Sequence, residues 1–261
     1  MTRKKIGLAL SGGAARGFAH LGVMKAFAEN NIPIDFVAGT SAGSFAGGAL
    51  ASGASVEEII EMSRKISWFR MTGFSFSPKG FLSNASMGAF VKQNFPVSRF
   101  EDLPIPFAAV ACDLETGKEV ILKDSGDLAE AIRASCAIPG VFAPVEYDGK
   151  ILIDGGVVAN VPTKAVRKLG AEIVIAVDVL ASGSTYFGKP NTLLGIFFQS
   201  AMMLLRAASK AHHYRADVVI IPKLSHLRPD EISKMDEFIK AGEEAALEKI
   251  DGIKSLIAAD L

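Results

Sequence analysis

A serine, a glycine-rich loop and an aspartate are the residues of this chain whose types and surroundings could do chemistry. Ser41 is the centre of Gly39-Thr40-Ser41-Ala42-Gly43, which follows the apolar run 34–38 and precedes a run of small residues, 42–51. A strand, a sharp turn and a helix in that order form a nucleophile elbow, whose apex exposes a serine hydroxyl. Glycines on both sides suit this strained apex because they have no Cβ. The alternative is a serine-containing turn between a buried strand and a helix, with no catalytic role.

Two further segments favour catalysis. Residues 11–17, Ser-Gly-Gly-Ala-Ala-Arg-Gly, join an apolar strand at 5–10 to a helix at 17–30. Their backbone N–H groups lie at a helix N-terminus, where negative charge is stabilised. Asp154 ends the short apolar strand 151–153 and is followed by Gly155 and Gly156. A nucleophile, an anion-stabilising loop and an acid together indicate acyl transfer.

In this order, the three blocks resemble the patatin-like phospholipase family, in particular its short single-domain bacterial members. The blocks are Gly12-Gly13-Ala14-Ala15-Arg16-Gly17, Gly39-Thr40-Ser41-Ala42-Gly43 and Asp154-Gly155-Gly156. The stretch Ala134-Ser135-Cys136-Ala137-Ile138-Pro139-Gly140 also resembles one that family members carry before the aspartate strand. The resemblance covers residues 5–180. One position departs from it, because Ala14 stands where the family often has a glycine, and alanine does not take a positive φ cheaply.

The resemblance implies specific roles for these residues. Ser41 would be the nucleophile and Asp154 its direct partner, in a dyad without histidine. Gly12, Gly13 and Ala14 would form the oxyanion hole. The remaining motif positions would support the site: Arg16, Gly17, Gly39, Gly43, Gly155 and Gly156. Arg16 could orient the loop, attract a phosphate head group or cap a helix, and we favour a structural role.

A catalytic histidine is the alternative that the residues themselves leave open. The order Ser41, Asp154 and then His212 or His213 would suit a hydrolase triad. The glycine loop follows the first strand here, however, whereas ordinary α/β-hydrolases supply it after a third strand. We therefore interpret His20, His212, His213 and His226 as structural or surface residues. An aspartate acting alone has an unperturbed pKa of ~3.9, so burial must raise that pKa if Asp154 is to act as a base.

A nucleotide site is a second alternative for the glycine loop. Asp35 has nearly the spacing of a ribose-binding acid, but it precedes the second strand instead of ending it. Ala14 also breaks the dinucleotide fingerprint, and no Gly-Lys-Ser/Thr follows the loop as a phosphate-binding loop would require. We therefore expect no nucleotide cofactor. Since no histidine or carboxylate cluster has ligand spacing, we also expect no metal.

Composition is typical of one enzyme domain, which we predict over residues 1–261. Of its 261 residues, 49% are hydrophobic, and 28 Lys plus Arg balance 28 Asp plus Glu, so the charge footprint of a nucleic-acid-binding protein is missing. Cys112 and Cys136 give no disulfide framework. The apolar stretch 6–10 is too short for a signal peptide, and no run has the ~18 apolar residues of a transmembrane helix. We expect a soluble, cytoplasmic protein.

The elements that must position the site alternate between strands and helices. Apolar runs at 107–111, 173–177 and 218–221 predict buried strands, and Glu115-Thr116-Gly117 and Asp148-Gly149 predict hairpin turns. The expected fold class is α/β, a three-layer α/β/α sandwich with a mostly parallel central sheet. Helical spacing of apolar residues predicts C-terminal helices over 230–259 that pack on the sheet.

Two apolar segments, 66–82 and 193–205, could meet lipid. The first holds Trp68, Phe69, Phe74 and Phe76, and the second is apolar nearly all round at helical spacing. A flap beside the acyl site, an oligomer interface and ordinary core all fit them, and core is the commoner outcome.

The predicted function is hydrolysis of carboxylic esters of lipids, namely phospholipid, lysophospholipid or acylglycerol, through an acyl-enzyme. Acyl transfer to an acceptor other than water is a variant of the same chemistry. The competing function is a non-catalytic lipid- or protein-binding regulator that keeps the fold. We expect a lipid or fatty-acyl ester substrate and transient contact with a membrane surface.

Overall fold

A mostly parallel sheet forms the centre of the protein. The structure is a computed structural model that describes residues 3–67, 73–74, 82–183 and 189–258. Within those ranges eight strands form the main sheet in the order β10-β9-β1-β2-β5-β8-β7, with β6 paired to β5 and a separate hairpin of β3 and β4. The strands are β1 (Ile6–Leu10), β2 (Phe36–Thr40), β3 (Gly73–Phe74), β4 (Leu82–Ser83), β5 (Phe107–Asp113), β6 (Glu119–Lys123), β7 (Val145–Tyr147), β8 (Lys150–Asp154), β9 (Ile173–Val177) and β10 (Val218–Ile220).

Helices cover both faces of this sheet. They are α1 (Ala19–Glu29), α2 (Ala42–Ala51), α3 (Val56–Arg64), α4 (Ala85–Asn94), α5 (Leu128–Ser135), α6 (Gly156–Ala159), α7 (Thr163–Leu169), α8 (Leu193–His213), α9 (Met235–Leu247) and α10 (Ile250–Ala258). Short 3₁₀ helices lie at Ala14–Phe18, Phe100–Asp102 and Ile232–Lys234. The predicted fold class, an α/β/α sandwich with a mostly parallel sheet, is confirmed.

The sheet separates two apolar cores of unequal size. Strand β1 is buried on both faces, which explains why its sequence is an unbroken apolar run rather than an alternating one. Ile6, Leu8 and Leu10 point into the larger core, which α1, α2, α5 and α9 complete. Ala9 points into the smaller core under α7. The large core therefore supports the same helices that carry the glycine loop and the elbow.

The C-terminal helix α9 packs very closely against α1. A Cβ on Gly22 would lie 1.9 Å from the Ile239 carbonyl oxygen, and a Cβ on Gly242 would lie 1.9 Å from that of Ala19. Only glycine permits such backbone contact, so the two positions form one reciprocal crossing point. The predicted C-terminal helical segment is present, but it is divided into α9 and α10 at residues 248–249.

The predicted strands and turns agree with the observed topology. Strands β1, β2, β5, β9 and β10 are parallel, whereas β6, β7 and β8 are antiparallel to their neighbours. The two predicted turns, at 115–117 and 148–149, join the antiparallel pairs β5–β6 and β7–β8. Because the parallel strands share one carboxyl edge, the segments that follow β1 and β2 meet there.

Candidate active site

Strand register brings Ser41 and Asp154 to the same place. Strand β2 runs along β5 as far as the Thr40–Val110 pair, and β8 runs in the opposite direction to the Asp154–Ala111 pair. Strand β6 pairs with β5 over the same residues and occupies its other edge. Strands β2 and β8 therefore lie on one edge of β5 with their carboxyl ends facing each other. Ser41 and Asp154, 113 positions apart in the numbering, become neighbours.

Backbone strain in the elbow lies on Ser41 itself. Ser41 has φ 53° and ψ −125°, a left-handed conformation that is uncommon for a residue with a side chain. The flanking glycines serve a different purpose. A Cβ on Gly39 would lie 2.3 Å from the Gly43 carbonyl oxygen, and one on Gly43 would lie 2.2 Å from the Leu10 carbonyl oxygen. These glycines let α2 begin directly against the ends of β1 and β2.

Asp154 is a buried carboxylate that faces the Ser41 hydroxyl. Both residues are 6% exposed. Burial raises the pKa of Asp154 to about 6, although the Ser41 side chain and the Gly156 N–H, 2.8 Å from Oδ1, act in the opposite direction. A carboxylate with this pKa can accept a proton much more readily than an exposed one.

The glycine loop lies beside Ser41 and presents backbone donors. A Cβ on Gly12 would lie 3.0 Å from the Ser41 Cβ. The Gly12 N–H donates to the Asn160 carbonyl at 3.2 Å, whereas the N–H groups of Gly13 and Ala14 have no acceptor among the described residues. Ala14 has φ 51°, so the alanine adopts the conformation that favours glycine. Of the three predicted oxyanion positions, Gly13 and Ala14 thus have N–H groups with no internal acceptor.

Arg16 holds the loop to the C-terminal part of the chain. Its side chain is fully buried and donates from Nε and Nη2 to the Leu227 carbonyl, at 3.1 and 2.8 Å, and from Nη1 to the Gly183 carbonyl, at 3.2 Å. The N–H of Ala15 donates to the Pro229 carbonyl at 2.9 Å. These contacts favour the structural interpretation of Arg16.

Three other motif glycines permit close packing around the dyad. A Cβ on Gly17 would lie 2.5 Å from that of Ala42, so the loop and the elbow helix touch. A Cβ on Gly155 would lie 2.2 Å from the Val110 carbonyl oxygen, and one on Gly156 would lie 3.0 Å from Asp154 Oδ1. A larger residue at Gly155 would displace the β5 backbone, one at Gly17 would push the loop away from Ala42, and one at Gly156 would crowd the Asp154 carboxylate.

Ser135 is a residue of the site whose role the sequence did not indicate. Its hydroxyl accepts the N–H of Ser41 at 2.9 Å and donates to the Val110 carbonyl at 2.6 Å. Two residues further on, the Ala137 carbonyl accepts the N–H of Asp154 at 2.9 Å. The 134–140 stretch therefore links the elbow, β5 and the end of β8. The sequence of this stretch resembled that of family members but did not indicate the role of Ser135, because its hydrogen-bond partners lie far away in the chain.

An apolar cavity opens beside Ser41. It holds about 850 Å³ of empty space, including its open mouth. Its walls combine the loop, the elbow helix and the 134–142 segment, and include Ala14, Ala46, Met87, Ile138 and Phe142. Its shape and lining suit an acyl chain.

The aromatic segment 66–82 is only partly described. Ile66 and Ser67 line the cavity. Trp68, Phe69 and Phe76 lie outside the described residues, so their predicted contact with the site stays a prediction.

The histidines lie outside the dyad. His20 is fully buried, its Nε2 is 2.8 Å from the Ser11 carbonyl, and burial lowers its pKa to about 4. His213 Nε2 is 2.8 Å from Asp178, and His226 is exposed. Burial also lowers the pKa of His212. These environments support the structural and surface roles predicted from the sequence.

The nucleotide alternative does not fit the position of Asp35. Its carboxylate accepts bonds from the Arg3 guanidinium at 2.6 and 2.9 Å and from the Ile6 N–H at 2.8 Å. These contacts place Asp35 at the amino end of β2, opposite to the glycine loop. Within the described ranges, no group of three or more His, Cys, Asp or Glu side chains is placed to hold a metal ion.

Comparisons with known proteins agree with this fold and site. The family model for patatin-like phospholipase matches residues 8–167. An uncharacterised NTE family protein of Mycobacterium tuberculosis is 38% identical over 192 residues, which are 72% of this chain and 53% of that protein. Lysophospholipase NTE1 of Debaryomyces hansenii is 32% identical over 185 residues, which are 69% of this chain and 12% of that protein.

Solved structures share the fold at low sequence identity. VipD of Legionella pneumophila superposes with a TM-score of 0.67 at 14% identity, covering 96% of this chain and 67% of that one. The fold is thus the α/β sandwich of these structures, with its candidate site at the carboxyl edge of the sheet. The family model shows that the chain belongs to the patatin-like phospholipase family. It spans about half of the mycobacterial relative and a much smaller part of the yeast one.

The pH dependence of activity should report the raised pKa of Asp154. If the ionised carboxylate is the base, kcat/KM for a neutral, soluble ester should fall about tenfold per pH unit below about pH 6 and level off above it. Hydrolysis of a short-chain p-nitrophenyl ester measured across pH checks this. A half-maximal point near the ordinary carboxylate pKa of ~3.9 would contradict it.

Replacing Ser135 should impair turnover more than stability. Ser135→Ala leaves the buried Ser41 N–H and Val110 carbonyl without their shared partner, so we expect kcat to fall roughly 10- to 100-fold. The matched control is Ser52→Ala, which removes a buried hydroxyl that donates to the Ala49 carbonyl at 2.7 Å in the same helix as the elbow. Equal loss of kcat in both variants, in proportion to their loss of melting temperature, would show a general packing role.

Proposed function

We propose that this protein is a serine hydrolase that cleaves carboxylic ester bonds of lipids, with Ser41 as nucleophile and Asp154 as base. One observation carries the proposal: a buried carboxylate with a pKa of about 6 faces a strained serine at the head of an apolar cavity. Burial supplies the proton affinity that an aspartate needs in order to act without histidine. Phospholipid, lysophospholipid and acylglycerol all offer the required ester.

The first half of the reaction forms an acyl-enzyme. Asp154 takes the hydroxyl proton as Ser41 Oγ attacks the ester carbonyl carbon, and a tetrahedral oxyanion forms. The unpaired N–H groups of Gly13 and Ala14, with Gly12 beside them, stabilise this charge, at ~2.7–4 kcal/mol per donor in a comparable hydrolase. The carbon–oxygen bond to the alcohol then breaks, and Asp154 returns its proton to the departing alkoxide.

The second half releases the fatty acid. A water molecule gives its proton to Asp154 and attacks the acyl carbon, and Ser41 leaves with that proton restored to Oγ. An alcohol in place of water would give acyl transfer instead. The acyl chain lies in the apolar cavity during both halves, since that surface gains from apolar contact.

The relatives support a lipid substrate in particular. A patatin-like phospholipase domain-containing protein of Caenorhabditis elegans and the yeast lysophospholipase NTE1 are relatives of this chain, at 36% and 32% identity. Both relatives are much longer than this chain, so the activity of the whole relative is only a proposal for this protein. A single-domain organisation and a cytoplasmic location stay predictions from the sequence.

Substitutions at the dyad test the proposal. Ser41→Ala and Asp154→Asn should each abolish turnover of a p-nitrophenyl ester, because members of one catalytic unit are non-additive. A fluorophosphonate probe should label the wild type at Ser41. His213→Gln is the control for a triad and should retain most activity. A folded protein with no turnover and no labelling would favour the non-catalytic regulator.

The stability of Asp154→Asn separates inactivity from misfolding. The folded-state pKa, about 6, lies above the unfolded-state value, so the folded state binds the proton more tightly. This contribution to stability is present below about pH 4 and is lost as pH rises through 6. Removing the charge should therefore stabilise the protein by up to about 3 kcal/mol at about pH 8, and less near pH 4. Thermal unfolding at both pH values measures the difference.

Filling the cavity should shift selectivity toward short acyl chains. Ala46→Leu adds carbon atoms to the cavity wall, so two excluded methylenes at ~0.8 kcal/mol each would lower kcat/KM for long chains by about tenfold. Short esters should be affected much less. The control is Ala28→Leu, the same change at an exposed position of α1. Equal losses at every chain length would place the acyl chain elsewhere.

A further inference from the structure

The outward side of helix α8 is mostly apolar, interrupted by Ser200 and by the exposed Lys210 near the end of the helix. Exposed residues recur at spacings of three and four, so they form one stripe, called here the α8 stripe. The exposed fraction is 86% at Leu193 and 72% at Leu204. The members are Leu193, Ile196, Phe197, Ser200, Met203, Leu204, Ala207, Ala208 and Ala211. This exposure shows that the outward side of 193–205 is not core, contrary to the commoner outcome expected from the sequence.

The opposite side of α8 is fixed to the protein. Ser209 and His213 each contact the buried Asp178 carboxylate at 2.8 Å. Leu205 approaches Gly156, beside the dyad, with its Cδ2 3.5 Å from where a Gly156 Cβ would lie. The helix is thus held in one orientation, while Leu193, Met203 and Leu204 of the stripe stay more than half exposed. An apolar face of this extent marks an interaction site.

The charged residues of the segment that carries the stripe have one sign. Between Asp178 and Asp217 the sequence has no acidic residue, and its cations are Lys189, Arg206, Lys210 and Arg215. The side chains of Lys210 and Arg215 form no ion pair with any described residue. Tyr214 follows the helix and is 93% exposed. Apolar residues bordered by cations and a tyrosine are the pattern of a helix that lies in a membrane interface.

The stripe lies close to one wall of the acyl cavity. Phe197 Cε1 is 3.7 Å from where a Gly140 Cβ would lie, and Gly140 is two residues from Ile138 in the cavity wall. A surface that receives α8 would therefore also lie near the segment that forms this wall.

We propose that the α8 stripe docks onto the surface of a membrane that contains anionic phospholipid. The proposal rests on the proposed function, since it specifies where the substrate is taken up. The helix lies in the headgroup region, its apolar side chains reach the acyl boundary, and the exposed Lys210 and Arg215 pair with lipid phosphates. No helix of the described ranges is long and apolar enough to span a bilayer. A second copy of the chain is the weaker occupant, because it would bring two acid-free, cationic segments together.

The test measures binding to vesicles in a Ser41→Ala background, so that it does not depend on turnover. Vesicles of phosphatidylcholine and phosphatidylglycerol in equal amounts are compared with pure phosphatidylcholine by flotation. The parent should bind the anionic vesicles. Leu204→Asp and Leu193→Asp should each weaken this binding by about tenfold or more. The matched control is Leu247→Asp, an apolar residue of α9 that is 49% exposed, which should bind like the parent.

Each outcome decides the proposal. Thermal unfolding checks that each variant is folded. Two positions of the stripe are substituted so that the test still holds if one of the variants does not fold. Unchanged binding in both stripe variants, or no binding by the parent, would overturn the proposal. A parent that does not bind vesicles but is a dimer, which Leu204→Asp dissociates, would identify the stripe as a subunit interface. Failure of the proposed function would appear separately, as wild-type protein that binds vesicles but hydrolyses no ester.

Discussion

The whole site depends on a carboxylate that is kept out of water. Within the described part of the chain no cation lies beside Asp154, the Ser41 side chain and the Gly156 N–H alone compensate its burial, and the result is a raised pKa. Asp178 is a second buried carboxylate near the same sheet edge, and it shows the contrast. Burial would raise its pKa too, but hydrogen bonds from His213, Ser209 and the Leu180 N–H outweigh burial and hold that pKa below its ordinary value. The number of partners, rather than burial itself, separates a carboxylate that can act as a base from one that is structural.

A weakly compensated charge needs rigid surroundings, because any opening would hydrate it and return its pKa toward normal. Three segments meet here: the glycine loop, the elbow and the end of β8. Side chains and backbone groups cross-link them. Ser135 joins the elbow to β5, and the Thr40 hydroxyl donates to the Ala159 carbonyl at 2.8 Å. The Ser41 N–H is already used by Ser135, so the proposed oxyanion donors are those of the separate glycine loop, whose position relative to α2 depends on the Gly17–Ala42 contact.

Sequence patterns predict elements whose form follows from local structure. The elbow, the loop and the Asp154 strand are each specified by a few adjacent residues, whereas the pairing of Ser41 with Asp154 came from the resemblance to the family. Contacts between distant segments could not be read in this way. The acceptors of Arg16 lie at Gly183 and Leu227, and the partners of Ser135 lie at Ser41 and Val110. The exposure of α8 could not be predicted from the sequence either, because an apolar helix has the same composition whether protein or lipid covers it. The apolar spacing predicted C-terminal helices over 230–259 but did not locate the break between α9 and α10 at 248–249.

The closeness of α1 and α9 limits how this protein can be dissected. The region recognised by its family motifs ends at residue 167, before β9, β10 and α9. Strand β9 lies between β1 and β10, so a fragment that ends at residue 167 would lack both β9 and β10 and leave β1 as an exposed edge strand. The same fragment would uncover Phe18, which packs against Phe238 at 6.4 Å between ring centroids, and would remove the acceptors of Arg16. The region matched by the family model is therefore smaller than the packed unit, and we expect a fragment that folds on its own to extend at least to Gly242, where the two helices cross.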